Sequence, residues 1–304
     1  MDLPKSRAVV PRLEYLASTG STNDDLRAAA TGADAAAWPH GSVIVTDDQT
    51  RGRGRMGRTW LAPTGKTLAI SVLLRPELPG GRSLPPEAYG WLPLIAGAAM
   101  TEAVRRAVDA AAASTADDDD EGDDGTGVLD VVLKWPNDVL VSGYKICGIL
   151  SELLPVAESS VAESSVAEPS VAEPVEATPA VIVGAGLNLT LDEHDLPTLT
   201  STSLLLATGV QPDADQVLAD YLSGFLSLVR AFAEQGADAA ASGIADRVSD
   251  LCGTLGAEVR VELPGDRQLL GVAERIDADG RLLVRDANDE VQAVAAGDVT
   301  HLRY

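Results

Sequence analysis

The apolar positions of the chain follow two different spacings, and the switches between them mark out the elements. Residues 12–16, 42–47 and 68–74 are rich in aliphatic and β-branched side chains over short runs and predict strands. Residues 86–112 carry apolar side chains at helical spacing and predict one long helix, ended by the acidic, glycine-containing run 114–127. Strands are predicted near 129–135, 139–142, 145–154 and 180–184, with Ser142-Gly143 as a tight hairpin turn. Helical spacing returns over 213–234 and 237–250. Near the start, Ser21 and Asp24 stand at the spacing of a helix-opening capping box, before an alanine-rich helix that runs to about Ala30.

From about Cys252 the texture changes. Short strands alternate with Leu263-Pro264-Gly265-Asp266, Asp277-Ala278-Asp279-Gly280 and Asp286-Ala287-Asn288-Asp289, a rhythm that predicts a small five-stranded β-barrel. The expected architecture is therefore α+β, a mixed or antiparallel sheet with helices over 1–251 and a companion barrel over 252–304. Residues 155–179 repeat VAESS-like units that are too short for a packed solenoid layer and lack bulky apolar residues other than valine. That stretch and 114–127 are expected to be disordered insertions.

Charge changes the picture once it is located. The net charge is −23, but Asp117–Asp124 holds seven acids and 155–179 five more, so the remainder carries −11. An acidic balance repels phosphate backbones and argues against nucleic-acid binding. Positive charge gathers instead at Arg51, Arg53, Arg55, Arg58 and Lys66. Two cysteines, Cys147 and Cys252, make no disulfide framework and stand in no metal-ligand spacing. The N-terminus lacks a secretory apolar run, and no window reaches the ~18 apolar residues of a membrane span. The expected location is cytoplasmic, without a membrane partner.

Three segments carry chemistry. In Asp47-Asp48-Gln49-Thr50-Arg51-Gly52-Arg53-Gly54-Arg55-Met56-Gly57-Arg58-Thr59-Trp60, glycines alternate with arginines between two strands. Backbone can then approach an anion closely while guanidinium groups supply charge and forked donors. Arginine-glycine runs also occur in disordered RNA-binding tails, but this run is single and closes on Trp60. In Leu133-Lys134-Trp135-Pro136-Asn137-Asp138 the proline interrupts pairing, so Lys134, Asn137 and Asp138 sit at a strand break where side chains can converge, with Lys145 facing the same cavity. The third, Val181-Ile182-Val183-Gly184-Ala185-Gly186-Leu187-Asn188, ends an apolar strand in two spaced glycines without continuing into a dinucleotide fingerprint.

Together these segments resemble the biotin protein ligase, or biotin-[acetyl-CoA-carboxylase] ligase, family over nearly the whole chain apart from the two acidic insertions. The resemblance implies a class II synthetase-like catalytic domain and an SH3-like C-terminal barrel. It implies that biotin and ATP, with Mg²⁺, form biotinyl-5′-AMP, and that biotin then passes to a lysine of the biotin carboxyl carrier protein or domain of an acyl-CoA carboxylase. Ser21, Thr22, Asn23 and Gln49 match residues on the biotin ring system; Arg53, Gly54 and Arg55 match a cover over biotin and phosphate. Lys145 resembles the lysine that contacts carboxylate and phosphate, Trp60 and Asn188 match nucleotide-side contacts, and Lys134 and Asp138 match positions near phosphate and metal. Gly52, Arg58, Gly148 and Gly186 are further ligand-side matches, and Arg303 resembles an arginine that reaches back towards ATP. Lys145, Arg55, Lys134 and Asp138 are the expected catalytic set.

Cys147 departs from the glycine or alanine more usual in the family. Bifunctional members begin with a DNA-binding winged helix-turn-helix, whereas this chain reaches Ser21-Thr22-Asn23 almost at once, which implies no operator binding. A monomer or weak homodimer is expected. The rival readings are a lipoate protein ligase, with the same chemistry on a longer acyl chain, and a biotin-sensing regulatory protein.

Overall fold

Short aliphatic segments of period two build the centre of the molecule. The structure, a computed structural model, describes residues 1–116, 129–154, 179–263, 265, 267–295 and 297–302. Its first strands are β1 (Leu13–Leu16), β2 (Val43–Thr46), β3 (Gln49–Arg53), β4 (Thr59–Ala62), β5 (Thr67–Leu74), β6 (Glu77–Leu78) and β7 (Arg82–Ser83). After these come β8 (Val131–Lys134), β9 (Asp138–Val141), β10 (Tyr144–Leu153) and β11 (Val181–Asn188). Seven of them form one sheet in the order β1-β2-β5-β11-β10-β9-β8, parallel only at β1–β2. The helices are α1 (Pro4–Val9), α2 (Thr22–Thr31), α3 (Trp91–Ala116), α4 (Leu204–Thr208), α5 (Ala214–Glu234) and α6 (Ile244–Leu251).

Alternation along the central strands sorts the two faces. Leu68, Ile70, Val72 and Leu74 of β5 and Val181, Val183, Ala185 and Leu187 of β11 join one buried cluster with Trp91, Leu92, Ile95 and Met100 of α3 and Phe225 of α5. The positions between them are small or polar: Thr67, Ala69 and Ser71 on β5, and Gly184, Gly186 and Asn188 on β11. Near α2 the same face is filled by Leu26, Leu73 and Ile182. Further along β5 and β11 the long side chains on one face bind the helices and the short ones on the other leave a trough.

The N-terminal helix is pinned by chemistry that local sequence does not announce. The Asp215 carboxylate accepts from the Lys5 and Ser6 backbone N–H groups at 2.8 and 2.9 Å and from Ser6 Oγ at 2.6 Å. It satisfies the free donors of the first turn of α1.

A second sheet of β12 (Glu258–Leu263), β13 (Arg267–Ile276), β14 (Leu282–Asp286), β15 (Val291–Val294) and β16 (Asp298–His301) stands where the small barrel is expected. It is antiparallel in the order β15-β14-β13-β12-β16. Two tryptophans sew it to the larger sheet. Trp91 Nε1 donates to Ala278 O at 2.7 Å and Trp135 Nε1 to Gly280 O at 3.1 Å. The Trp135 backbone N–H donates to Thr254 Oγ1 at 3.0 Å.

Several boundaries differ from the sequence reading. Pro86–Gly90 is a 3-10 turn and the long helix starts at Trp91 and continues to Ala116, so 114–116 are helical and not part of an insertion. The last helix begins only at Ile244, because Gly236 and Gly243 adopt positive φ and break the expected run from 237. Gly184 and Gly186 lie inside β11, which continues to Asn188, since each pairs across to neighbouring strands. The insertions over 117–128 and 155–178, and Arg303, lie outside the described residues. Among the described residues no helix is long and apolar enough to cross a membrane.

Candidate active site

The trough is a row of cross-strand partners. Ala69 pairs with Gly186, Gly186 with Gly148, Gly148 with Asp138, and Asp138 with Lys134. Three residues with little or no side chain are thus followed, on one line across five strands, by a carboxylate and an ammonium. A cleft of about 740 Å³ lies over this row. Its walls come from the start of α2, the segment between β3 and β4, residues Pro197–Ser201 and residues Gly297–His301 of the second sheet.

At one end, Ser21 caps α2 by accepting from the Asp24 N–H at 3.4 Å, as the capping-box spacing predicts. That cap turns the next two side chains onto the sheet. Gln49 Oε1 accepts from the Thr22 N–H at 2.9 Å, and Ser71 Oγ donates to Asn23 Oδ1 at 2.6 Å. Gly184 makes room for Asn23: a Cβ there would stand 2.5 Å from Asn23 Oδ1. Trp60 occupies the next position, with a Cβ on Gly186 falling 2.3 Å from its indole ring. Its Nε1 is buried without a partner among the described residues, and so is Oδ1 of Asn188, whose Nδ2 donates to Thr202 O at 2.9 Å. A buried donor and a buried acceptor left open in the same cleft are groups a polar ligand can satisfy.

The arginine-glycine segment is a two-stranded ribbon of β3 and β4. Gly52 is the expected ligand residue that does not line the cleft; it sits behind the ribbon, where a Cβ would meet Trp60 O at 2.5 Å. Arg51 and Lys66 also lie away from the cleft. Lys66 Nζ pairs with Asp192 at 3.0 Å and with Asp195, tying the segment that leads to Pro197–Ser201 back to β5.

The cleft's cations separate into two groups. Arg53 forks onto Asp24 at 2.7 and 2.8 Å and reaches Glu152 at 3.4 Å. The Arg53 pair holds the Asp24 carboxyl below its usual range. Arg58 pairs with Asp298 of the second sheet, and burial, which pushes that carboxyl up, is outweighed by Arg58, so it too stays below the usual range. Lys145 Nζ lies 2.6 Å from Asp138 Oδ1, an ion pair whose angles fall outside hydrogen-bond geometry.

Arg55 and Lys134 are different. Arg55 Nη1 donates to Asn137 Oδ1 at 2.7 Å and Nη2 to Gly297 O at 3.2 Å, both neutral acceptors. Lys134 has no carboxylate within ion-pair distance among the described residues. Burial pushes both groups below their ordinary values, against the opposing pull of the Asp138 and Asp298 charges. The two cations without a carboxylate partner therefore face the same cleft and are the ones whose charge an incoming anion would relieve.

Asn137, singled out with Lys134 and Asp138 at the strand break, does reach the cleft, and two further contributors, Asp298 and His301, were not legible as ligand residues. Asn137 is fixed by Nδ2 donating to Ile149 O at 2.8 Å, and so offers Oδ1 to Arg55. Asp298 and His301 arrive from the far end of the chain, where only the packing of the second sheet reveals them. Among the described residues no cluster of three or more histidine, cysteine or acidic side chains is arranged to hold a metal.

Residues 15–166 match the Biotin/lipoate A/B protein ligase family, and residues 254–302 match the Biotin protein ligase C terminal domain. Over 293 residues the chain is 35% identical to the biotin--[acetyl-CoA-carboxylase] ligase of Mycobacterium tuberculosis, covering 96% of this chain and 90% of that one. The chain belongs to the biotin/lipoate A/B protein ligase family. This ligase-family chain is also 30% identical over 201 residues to the bifunctional ligase/repressor BirA of Bacillus spizizenii, of which the match spans 49%. In fold it is similar to the biotin protein ligase from Aquifex aeolicus in complex with biotin and ATP, with a TM-score of 0.67, 23% identity and coverage of 97% and 100%. The Leishmania major biotin protein ligase in complex with biotinyl-5-AMP gives a TM-score of 0.55 at 24% identity, covering 94% of this chain and 99% of that one. At these identities the two structures speak to the fold, and the fold of the family member is the α+β arrangement expected from its sequence.

Proposed function

We propose that the chain is a biotin-[biotin carboxyl carrier protein] ligase, which joins biotin to AMP and then transfers biotin to a lysine of the carrier domain of an acyl-CoA carboxylase. The observation that carries the reading is the row Ala69–Gly186–Gly148–Asp138–Lys134, three small residues that lead to a carboxylate and an ammonium. A flat bicyclic acid can lie against Ala69 and the flank of Trp60 with its ring polar groups towards Ser21, Thr22, Asn23 and Gln49. Its carboxylate then points to Lys145, with ATP towards Trp60, Asn188 and the second sheet. Residues 1–251 serve as the catalytic unit and 252–304 as the unit that closes the phosphate end.

Two anions must meet for the first step. At 4 Å and an effective dielectric of ~20, a unit-charge pair repels by about 4 kcal/mol. Lys145, Arg55 and Lys134 sit where that repulsion would arise, and their charge also meets the charge that develops on the α-phosphate. A carboxylate oxygen attacks the α-phosphorus, its bond to the bridging oxygen breaks, and pyrophosphate leaves. Mg²⁺ is bound mainly by nucleotide phosphates in such sites, with one or two protein carboxylates, which suits a cleft whose floor bears the carboxylate Asp138 and, among the described residues, no preformed cage. When bound it neutralises phosphate charge.

In the second step a neutral lysine Nζ attacks the acyl carbon. The N–C bond forms, the bond from acyl carbon to phosphate oxygen breaks, and AMP leaves with the electron pair. Asp138 takes the proton that the amine sheds. The test is ATP-dependent attachment of biotin to a carrier domain, followed by intact mass, with lipoate run in parallel. Modification with lipoate and none with biotin would overturn the reading.

The floor gives its own prediction. Gly186→Ala forces the Trp60 ring off the row, and overpacking of this kind costs about 1–3 kcal/mol. Because the clash is inside the cleft, the expected result is a five- to 150-fold weaker biotin Kd, roughly the equivalent of that cost. Calorimetric titration checks it, with Tm expected to fall by only a few degrees, on the order of the scaling for a domain this size.

A further inference from the structure

Between β11 and α4 the chain leaves the large sheet and returns beside β10. The base of this excursion is closed where Leu205 N–H donates to Leu189 O at 2.9 Å and Ser203 Oγ to Leu191 O at 2.7 Å. Its returning arm runs along Lys145. Lys145 N–H donates to Thr200 O at 2.7 Å, Thr202 N–H to Lys145 O at 2.9 Å, and Asn188 Nδ2 to Thr202 O at 2.9 Å. The outgoing arm is held by the residue that precedes β5. Lys66 O accepts from the Leu189 and Thr190 N–H groups, both at 3.0 Å, and Lys66 Nζ pairs with Asp192 at 3.0 Å and with Asp195. Between the arms, Pro197–Ser201 form a wall of the cleft, and Leu199 at their centre is 96% exposed. We propose that Lys66 is a positioning residue for ATP, whose ion pairs with Asp192 and Asp195 hold residues 190–202 in place as the nucleotide-side wall before the nucleotide arrives. The inference rests on the ligase reading above.

Several observations give Lys66 this role. It precedes Thr67, the cross-strand partner of Asn188, so the anchor stands beside the part of the floor assigned to the nucleotide. Lys66 does not line the cleft, and it therefore acts through the segment it ties down. Asn188 Oδ1 is buried without a partner among the described residues, and the Nδ2 that orients the same amide bonds to Thr202 O of this segment. Loosening the segment would free that amide to turn. The Lys145 backbone has a second support, since β10 pairs Lys145 with Leu140 of β9. Lys145 thus stays in place without the anchor, and the loss falls on nucleotide binding more than on the chemical step. Lys66 holds the Asp192 carboxyl down to about 2, and Asp195 and Asp192 raise the Lys66 ammonium, so the pairs stay charged at neutral pH. Exposed ion pairs contribute little to folding, but here they need only bias a short segment. Were that segment in place for about a third to a tenth of the time, the apparent affinity for ATP would fall by about three- to tenfold.

In the full chain, Lys66→Gln is expected to raise KM for ATP in biotin-dependent ATP–pyrophosphate exchange by about three- to tenfold. Its kcat, and its biotin Kd by calorimetric titration, should stay within twofold of the parent. Lys66→Arg, which keeps the charge, should return KM for ATP to within twofold. Replacing both Asp192 and Asp195 by asparagine should reproduce the rise, and adding Lys66→Gln to that variant should change it by less than twofold. Chymotrypsin cleavage after Leu199, read by intact mass, supplies a measure apart from activity, expected to quicken severalfold in Lys66→Gln but not in Lys66→Arg. A KM for ATP within twofold of the parent in Lys66→Gln would overturn the inference. So would an equal loss of biotin affinity, which would make Lys66 a prop of the whole fold. Absence of biotin-dependent exchange in the parent chain would instead count against the ligase reading itself.

Discussion

Lys145→Ala is expected to lower biotin-dependent ATP–pyrophosphate exchange by about a thousandfold, the equivalent of one unscreened charge pair of about 4 kcal/mol at the reacting centre. The structure makes the loss larger than removal of a cation alone. Lys145 Nζ stands 2.6 Å from Asp138 Oδ1, so the variant leaves that carboxylate facing two incoming anions. The variant should bind biotin more weakly, but by far less than exchange falls, since the residues assigned to its rings lie at the other end of the row. Transfer from preformed adenylate to the carrier should fall far less, because the acid has lost its own negative charge in the anhydride and a neutral amine, not a second anion, then approaches. Rapid-quench measurement of both half-reactions checks this, and equal losses in the two would remove Lys145 from the adenylation role.

How much of this was readable from the chain depends on whether a residue's role is local. Ser21 and Asp24 announce a helix start through their spacing, and Ser142 and Gly143, at φ 48 and 82°, make the tight turn that brings Lys145 back beside Asp138. Period two in β5 and β11 was legible as strand, yet the alternation of long and short side chains carries the further information that one face is a floor. That meaning needs the register, which pairs Ala69 with Gly186 and Gly186 with Gly148. Charge state was the least legible. Arg53, Arg55 and Arg58 are alike in sequence, but one is taken by Asp24, one by Asp298, and only Arg55 keeps neutral partners. Those partners come from Glu152, Gly297 and Asp298, distant positions whose proximity is set by the packing of two sheets. Exposed pairs of this kind are worth about 0–1 kcal/mol each, so they sort the arginines by role more than they hold the fold together.

Arg55→Ala is expected to release biotinyl-5′-AMP into solution about ten- to a hundredfold faster than the parent, from the loss of charged hydrogen bonds worth about 1.5–3 kcal/mol. Arg55 is the one arginine of the ribbon that reaches both the Asn137 turn and Gly297 O, so it spans the two units over the phosphate end of the cleft. Without it the strap between β3 and β4 keeps its outer anchors at Asp24 and Asp298 but has no inner one. Adenylate formation should fall less than release rises, as Lys145 and Lys134 remain. The consequence is loss of selectivity: escaped adenylate acylates exposed lysines of bystander proteins, which a streptavidin blot of an added inert protein detects. Asn137→Ala should give the same leak in weaker form, and adding it to Arg55→Ala should change little, because Asn137 acts through the guanidinium it positions. Adenylate retention equal to the parent in Arg55→Ala would refute the covering role, and full additivity of the two variants would place Asn137 on the ligand in its own right.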